Sequence, residues 1–169
     1  MIAAPAVAAR VQEGAAPSSA VTIRFTRSAD DLAARVALAR RAYGELNDGL
    51  PYDEDRVRRT FERKLKQADR CLLQAELGGR VIGGLIGAIG AHYHSPALGA
   101  SLQGLYVLPE HRGSLAAVKL LHGFRRWAKG HGAVRMYVGV TSGIDIARTD
   151  RLLKRLGFRV TGGNYEAAL

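Results

Sequence analysis

Cysteine is nearly absent from this sequence. Cys71 is the only one, so an intrachain disulfide is excluded. It sits in the apolar run Cys71-Leu72-Leu73 and reads as a buried structural thiol rather than a nucleophile. Long apolar runs are missing too. No stretch approaches the roughly 18 residues that a membrane span needs. The N-terminal Met1-Ile2-Ala3-Ala4-Pro5-Ala6-Val7 is apolar but short, with no basic region before it. It is expected to be a tail rather than a signal peptide, and the chain to be cytoplasmic.

Negative charge is scarce: 15 Asp+Glu stand against 25 Lys+Arg, a formal net charge of +10. That balance favours anionic partners without choosing among them. The arginines are spread along the chain, in keeping with a solvated basic surface. Arg125, Arg126 and Lys129 are the nearest thing to a nucleic-acid patch. No helix-turn-helix, zinc-finger or ribonucleoprotein signature accompanies them, so a basic nucleic-acid-binding module is the weaker alternative. Three other chemistries lack their signatures. No Gly-Lys-Ser/Thr marks a phosphate-loop NTPase, and no Gly-x-Ser-x-Gly elbow marks a serine hydrolase. His92 and His94 supply two metal ligands with no cysteine near, so no metal is expected.

What the chain does contain is one domain's worth of regular pattern. Its 169 residues are 47% hydrophobic and 24% charged, ordinary globular values for a single core. Residues 1–19, rich in Ala, Pro, Ser and Gly, read as a flexible tail, and 20–169 as the domain. Val21 to Phe25 alternates as a strand. Ser28 caps a helix whose stripe is Leu32, Val36, Ala39 and Tyr43, ending at Gly44. A second helix starts near Asp53 with Val57, Phe61 and Leu65 inward. Strands at Cys71–Leu77 and Arg80–Ala88 meet through Gly78-Gly79. The second carries Gly83, Gly84 and Gly87, which signal a bulge or a close approach to its backbone. A strand at Leu102–Leu108 runs into a helix from Ser114 to Lys129. Val134–Val140, a short helix at Ile146–Leu156 and two strands about Gly162-Gly163-Asn164 complete the order. Hairpins with one strand–helix–strand crossover imply an α+β fold, its sheet mixed but mostly antiparallel and flanked by about four helices.

The chemically informative segment is Val107-Leu108-Pro109-Glu110-His111-Arg112-Gly113-Ser114-Leu115-Ala116-Ala117. It is a strand end, a tight turn and a helix start. The first turn of a helix leaves amides without internal partners, and with the helix dipole they suit a phosphate. Gly113 allows the turn to bend and the backbone to approach a ligand. From this window alone an ordinary capped turn is the better account.

The segment resembles the acyl-CoA-binding motif of the GNAT acyltransferases, a strand ending in Val-x-Pro followed by x-x-Arg-Gly-x-Gly-x-Gly/Ala and a long helix. Leu152-Leu153-Lys154-Arg155-Leu156-Gly157-Phe158 is similar to the family's Leu-Tyr-x-x-x-Gly-Phe ending. The resemblance implies acetyl-CoA, or another acyl-CoA, as co-substrate. The amides of Arg112, Gly113, Ser114, Leu115, Ala116 and Ala117 would hold the coenzyme A pyrophosphate. The backbone of Leu105, Tyr106 and Val107 would meet the pantetheine arm, entering where this strand splays from the one at Val134–Val140. The implied reaction is direct attack of an amine, on a small molecule or a protein, on the thioester. A homodimer is a family expectation. The pattern is broken at Leu115 (usually Gly), Glu110 (often Gln or Arg), Ile146 (often Asn) and Leu153, where many relatives carry a Tyr acid. A CoA-binding domain without catalysis is therefore a second alternative. The candidate acid–base residues are His92 and His94, on one side if both lie on a strand, and Tyr106, with Tyr137 and Tyr165 as further acids.

Overall fold

The computed structural model describes residues 20–46 and 49–164. The proposed N-terminal tail and Tyr165 lie outside these. Within them the chain forms β1 (Thr22–Phe25), α1 (Ala29–Leu46), α2 (Glu54–Leu65), β2 (Arg70–Leu77), β3 (Arg80–His92), β4 (Ser95–Val107), α3 (Ala116–Gly130), β5 (Ala133–Val138) and α4 (Ile146–Arg155). The sheet order is β1-β2-β3-β4-β5. All neighbours are antiparallel except β4 and β5, joined by the α3 crossover. Among the described residues, no helix is long and apolar enough to cross a membrane.

Two layers cover the sheet. On the back, Ala116, Leu120, Leu121 and Phe124 of α3 pack on Cys71, Leu73, Leu85 and Ala100, and Leu153 and Leu156 of α4 join this core. On the front, Leu32 and Val36 of α1 and Phe61 of α2 enclose Leu72. The caps follow the sequence. Ser28 Oγ accepts from the Asp31 amide at 3.1 Å, and Asp53 caps α2 by accepting from the Arg56 amide at 2.9 Å. Asp31 also accepts from Arg24 and Gln74, tying α1 to β1 and β2. The Arg24 guanidinium, helped by the Ser28 and Arg27 amides, holds its carboxyl well below the usual range.

Several boundaries differ from the expectation. α1 passes Gly44 to Leu46, because one helical glycine costs only about 1 kcal/mol. β3 and β4 run on past Ala88 and start before Leu102, pairing as far as His92↔Ser95. The ladder continues because Ile89 and Ala100 still face the back core. Of the two closing strands expected about Gly162-Gly163-Asn164, the first is not formed, since the chain from Phe158 to Asn164 has no strand, and the second lies outside the described residues. Val160, 67% exposed, has no core to bury against.

The glycines of β3 do mark close approach, but of the protein's own side chains. A Cβ on Gly84 would land on the Arg35 guanidinium at the front, and one on Gly87 on the Phe124 ring at the back. Bulges occur too. Between Ile86↔Gly104 and Gly87↔Leu102 one residue of β4, Gln103, is extra.

Candidate functional site

β4 and β5 pair from Leu98↔Ala133 to Leu102↔Val138 and no further. From the bulge at Gln103 to Val107, β4 has no partner on that side among the described residues. The two strands therefore part at Gln103, leaving a wedge with a free backbone edge. The wedge opens toward the start of α3.

The turn between β4 and α3 is tightly built. Pro109–His111 forms one turn of 3-10 helix. The Leu108 amide donates to Ile82 O at 2.9 Å, Arg112 N to Pro109 O, and Ser114 N to His111 O. Ser114 Oγ accepts from the Ala116 amide at 3.2 Å. Gly113 has φ +100°, a conformation that side chains disfavour. Leu115 has φ −76° and is 61% exposed. It fits without glycine's freedom, and its side chain stands in solvent. Among the described residues, no acceptor meets the amides of Gly113, Leu115, Ala117 and Val118. These are the orphan donors of a helix start, at the positive end of a 15-residue helix.

The charges around the turn are sorted. Glu110 lies opposite Arg41 of α1 at 3.4 Å rather than over the turn. Arg112 turns inward: Nη1 meets Glu45 at 2.5 Å, Nε donates to Val107 O at 3.1 Å, and the guanidinium lies over the Tyr106 ring. Its charge is spent on Glu45, whose carboxyl it holds below the usual value. Arg148 of α4 takes its place beside the amides. Its Nη2 lies 3.3 Å from where a Gly113 Cβ would stand, and among the described residues it has no ion pair. A helix-start arginine in sequence reads only as local electrostatics, so the fold alone reveals its place.

A free strand edge leading to unpaired amides and an arginine suits a long ligand with an amide-bearing arm and a phosphorylated end. The acetyltransferase (GNAT) family model matches residues 36–158. The chain belongs to the GNAT family.

Solved structures agree on the fold. Aminoglycoside N-acetyltransferase AAC(6')-Iy in complex with a CoA-containing bisubstrate analogue superposes with a TM-score of 0.73 at 21% identity, covering 89% of this chain and 99% of that one. An aminoglycoside acetyltransferase from an uncultured soil metagenomic sample, in complex with sisomicin, gives 0.68 at 17%, covering 88% and 96%. Ribosomal-protein-alanine N-acetyltransferase from Brucella melitensis biovar Abortus 2308 gives 0.68 at 17%, covering 89% and 99%. No curated protein sequence matches the chain.

In this GNAT chain the candidate acid–base residues do not converge. His92 ends β3 and His94 falls in the turn after it, so the expected shared strand side is not formed. The His94 ring packs edge-on against Tyr93 at the exposed hairpin tip. His92 lies across Gly99, its Nε2 3.5 Å from the Tyr137 hydroxyl. Gly99 is four residues from the bulge, about 13 Å along β4. Tyr106 donates its hydroxyl proton to Glu45 at 3.0 Å, and burial and that carboxylate push its pKa up. Leu153, in the place of the usual tyrosine, packs on the back core. Arg125 donates to Leu156 O at 2.8 Å and lies over Phe158, so it is a structural link between α3 and the end of α4. Among the described residues, no cluster of three His, Cys, Asp or Glu is placed to hold a metal ion.

Proposed function

We propose that this protein is an acyl-CoA-dependent N-acyltransferase, moving an acetyl or other acyl group to an amine by direct attack. The observation that carries the reading is the set of unpaired amides at Gly113, Leu115, Ala117 and Val118, adjoining the free edge of β4. Bound acyl-CoA supplies an activated thioester carbonyl. The chain supplies the rest. The amides of Gly113, Leu115, Ala117 and Val118 and the Arg148 guanidinium bind the pyrophosphate. Within the expected set of Arg112 to Ala117, the amides of Arg112, Ser114 and Ala116 already have protein acceptors. The edge backbone of Leu105, Tyr106 and Val107 orients the pantetheine arm. With the arm along that edge, a backbone amide freed at the Gln103 bulge would be the group to polarise the thioester carbonyl.

His92, with Tyr137 beside it, is the proposed base; at about 13 Å along β4 from the bulge it would take the amine proton through a chain of several waters, not one. His94 has no such path. Tyr106 is a poor acid here, because its proton is held by Glu45. A thiolate is a tolerable leaving group without one. The acetyltransferases of similar fold, among them aminoglycoside and ribosomal-protein-alanine enzymes, support an amine acceptor.

Leu153, packed on the back core in the place of the usual tyrosine, favours one second reading, a CoA-binding domain without catalysis. Release of free thiol from acetyl-CoA and longer acyl-CoAs, measured with pooled amine acceptors, separates the two. Acyl transfer predicts amine-dependent release that falls at least tenfold in His92→Ala. CoA binding with no amine-dependent release would leave the second reading standing.

A further inference from the structure

Two features of the lower front of the molecule meet at Lys64, near the end of α2. Its Nζ donates to Gln103 Oε1 at 2.6 Å, so an ammonium stands at the bulge where β4 and β5 part. The same residue lines a recess of about 320 Å³ at the end of the sheet where β1 stops and β2 starts. This is the size of a small ligand site. The recess lies away from the α3 turn, about 16 Å along that helix from Ala116 to Trp127.

The recess has one sign of charge. Arg27, Lys64 and Arg70 line it, with His131 at its edge. Asp69 pairs with Arg70 at 2.6 Å. Lys64 meets the neutral Gln103 amide, and Arg27 lies over the Phe25 ring with no ion pair among the described residues. Burial and the guanidiniums of Arg70 and Arg63 push the Lys64 pKa down, as expected of a cation short of anions. Phe25, Leu65 and Trp127 add apolar wall. Trp127 is flanked by Phe124 and His131, with ring centroids at 5.7 and 4.7 Å. Its faces are taken, so the wall suits a flexible chain with carboxylates better than a flat base that needs stacking.

We infer that the acceptor is an acidic peptide, presenting its free amine at Gln103 and its carboxylates to Lys64, Arg27 and Arg70 in the recess. Two or three extended residues reach about 7 to 10 Å, and the Lys64 side chain borders both the bulge and the recess. An ammonium at the bulge also disfavours a polycationic amine by like-charge repulsion, and it lowers the pKa of the incoming amine toward its reactive neutral form. The inference rests on the acyl-transfer reading for its chemistry, but the recess can be tested apart from it.

The test titrates three free-amine tetrapeptides, Ala-Asp-Glu-Glu, Ala-Asn-Gln-Gln and Ala-Lys-Arg-Lys, and spermidine into the protein, with and without saturating CoA, by calorimetry. The acidic peptide is expected to bind at least tenfold tighter than its neutral isostere, and the basic ligands more weakly still. Lys64→Glu and Arg27→Glu, on different elements, should each weaken the acidic peptide tenfold or more while CoA affinity stays within twofold. Equal or tighter binding of the neutral or basic ligands, no binding of the acidic peptide, or its indifference to both substitutions would overturn the inference. Absence of CoA binding would instead strike the acyl-transfer reading, and the titrations without CoA would still decide the recess.

Discussion

Arg35 is buried, only 4% exposed, and among the described residues it has no ion pair with a carboxylate. Nη2 donates to Leu85 O at 3.3 Å, the guanidinium lies over the Phe61 ring, and Nε has no partner. Burial pushes its pKa down to about 10. An unpaired buried cation costs folding energy that an apolar side chain of similar length avoids. Arg35→Met is therefore expected to stabilise the fold by about 1 kcal/mol or more, measured by urea unfolding; a loss of stability would show that the charge has a partner or task. The sequence hides this residue. Its neighbours Leu32 and Val36 announce a buried stripe, but an arginine next to such a stripe ordinarily reads as solvated. Cys71 is the contrasting case. Its apolar run correctly marks a buried thiol, 1% exposed and with its pKa pushed up to about 12 by burial.

At the scale of elements, β3 carries the largest constraint. Its glycines let α1 and α3 approach the sheet from both sides. Gly87 faces the fully buried Phe124 ring, which has no room to move. Gly87→Ala is expected to destabilise by about 2 kcal/mol through overpacking, seen as a lower midpoint in thermal unfolding. An unchanged midpoint would mean that α3 is free to shift. The glycine pattern was legible in the sequence, and so were the helix stripes, the Gly78-Gly79 hairpin and the crossover through α3, because periodicity and turn chemistry are local signals. The extensions of β3 and β4 were not, since long pairing is decided by what the far ends bury. The strand before Gly162 was over-read from a Gly-Gly-Asn turn signal, because that flank has no buried face. The bulge at Gln103 has no local signature either. It arises from register between strands.

For the whole molecule, family membership and the turn proposed for acyl-CoA rest on a contiguous motif, which is why both are legible in the sequence. The electrostatic plan could not. Glu45 neutralises Arg112 from 67 positions away, Arg148 comes to the turn from α4, and Lys64 reaches the bulge from α2. Each pairing is a product of the fold. The net charge of +10 named an anionic preference but not the two locations proposed for it, the turn at α3 and the recess below the sheet. The acid–base residues remain the least legible part, because the tyrosine pattern is broken at Leu153 and histidines carry no positional code of their own.

The central claim is that the turn from Gly113 to Val118 holds the phosphates of coenzyme A. Calorimetric titration of acetyl-CoA into the wild type and into Gly113→Asp tests it most directly. Asp at φ +100° adds strain, bulk beside Arg148 and a negative charge among the amides. The account predicts saturable binding by the wild type and a loss of roughly a hundredfold or more, about 3 kcal/mol, in a Gly113→Asp protein that still unfolds cooperatively. No binding by the wild type, or equal binding by both, would contradict it.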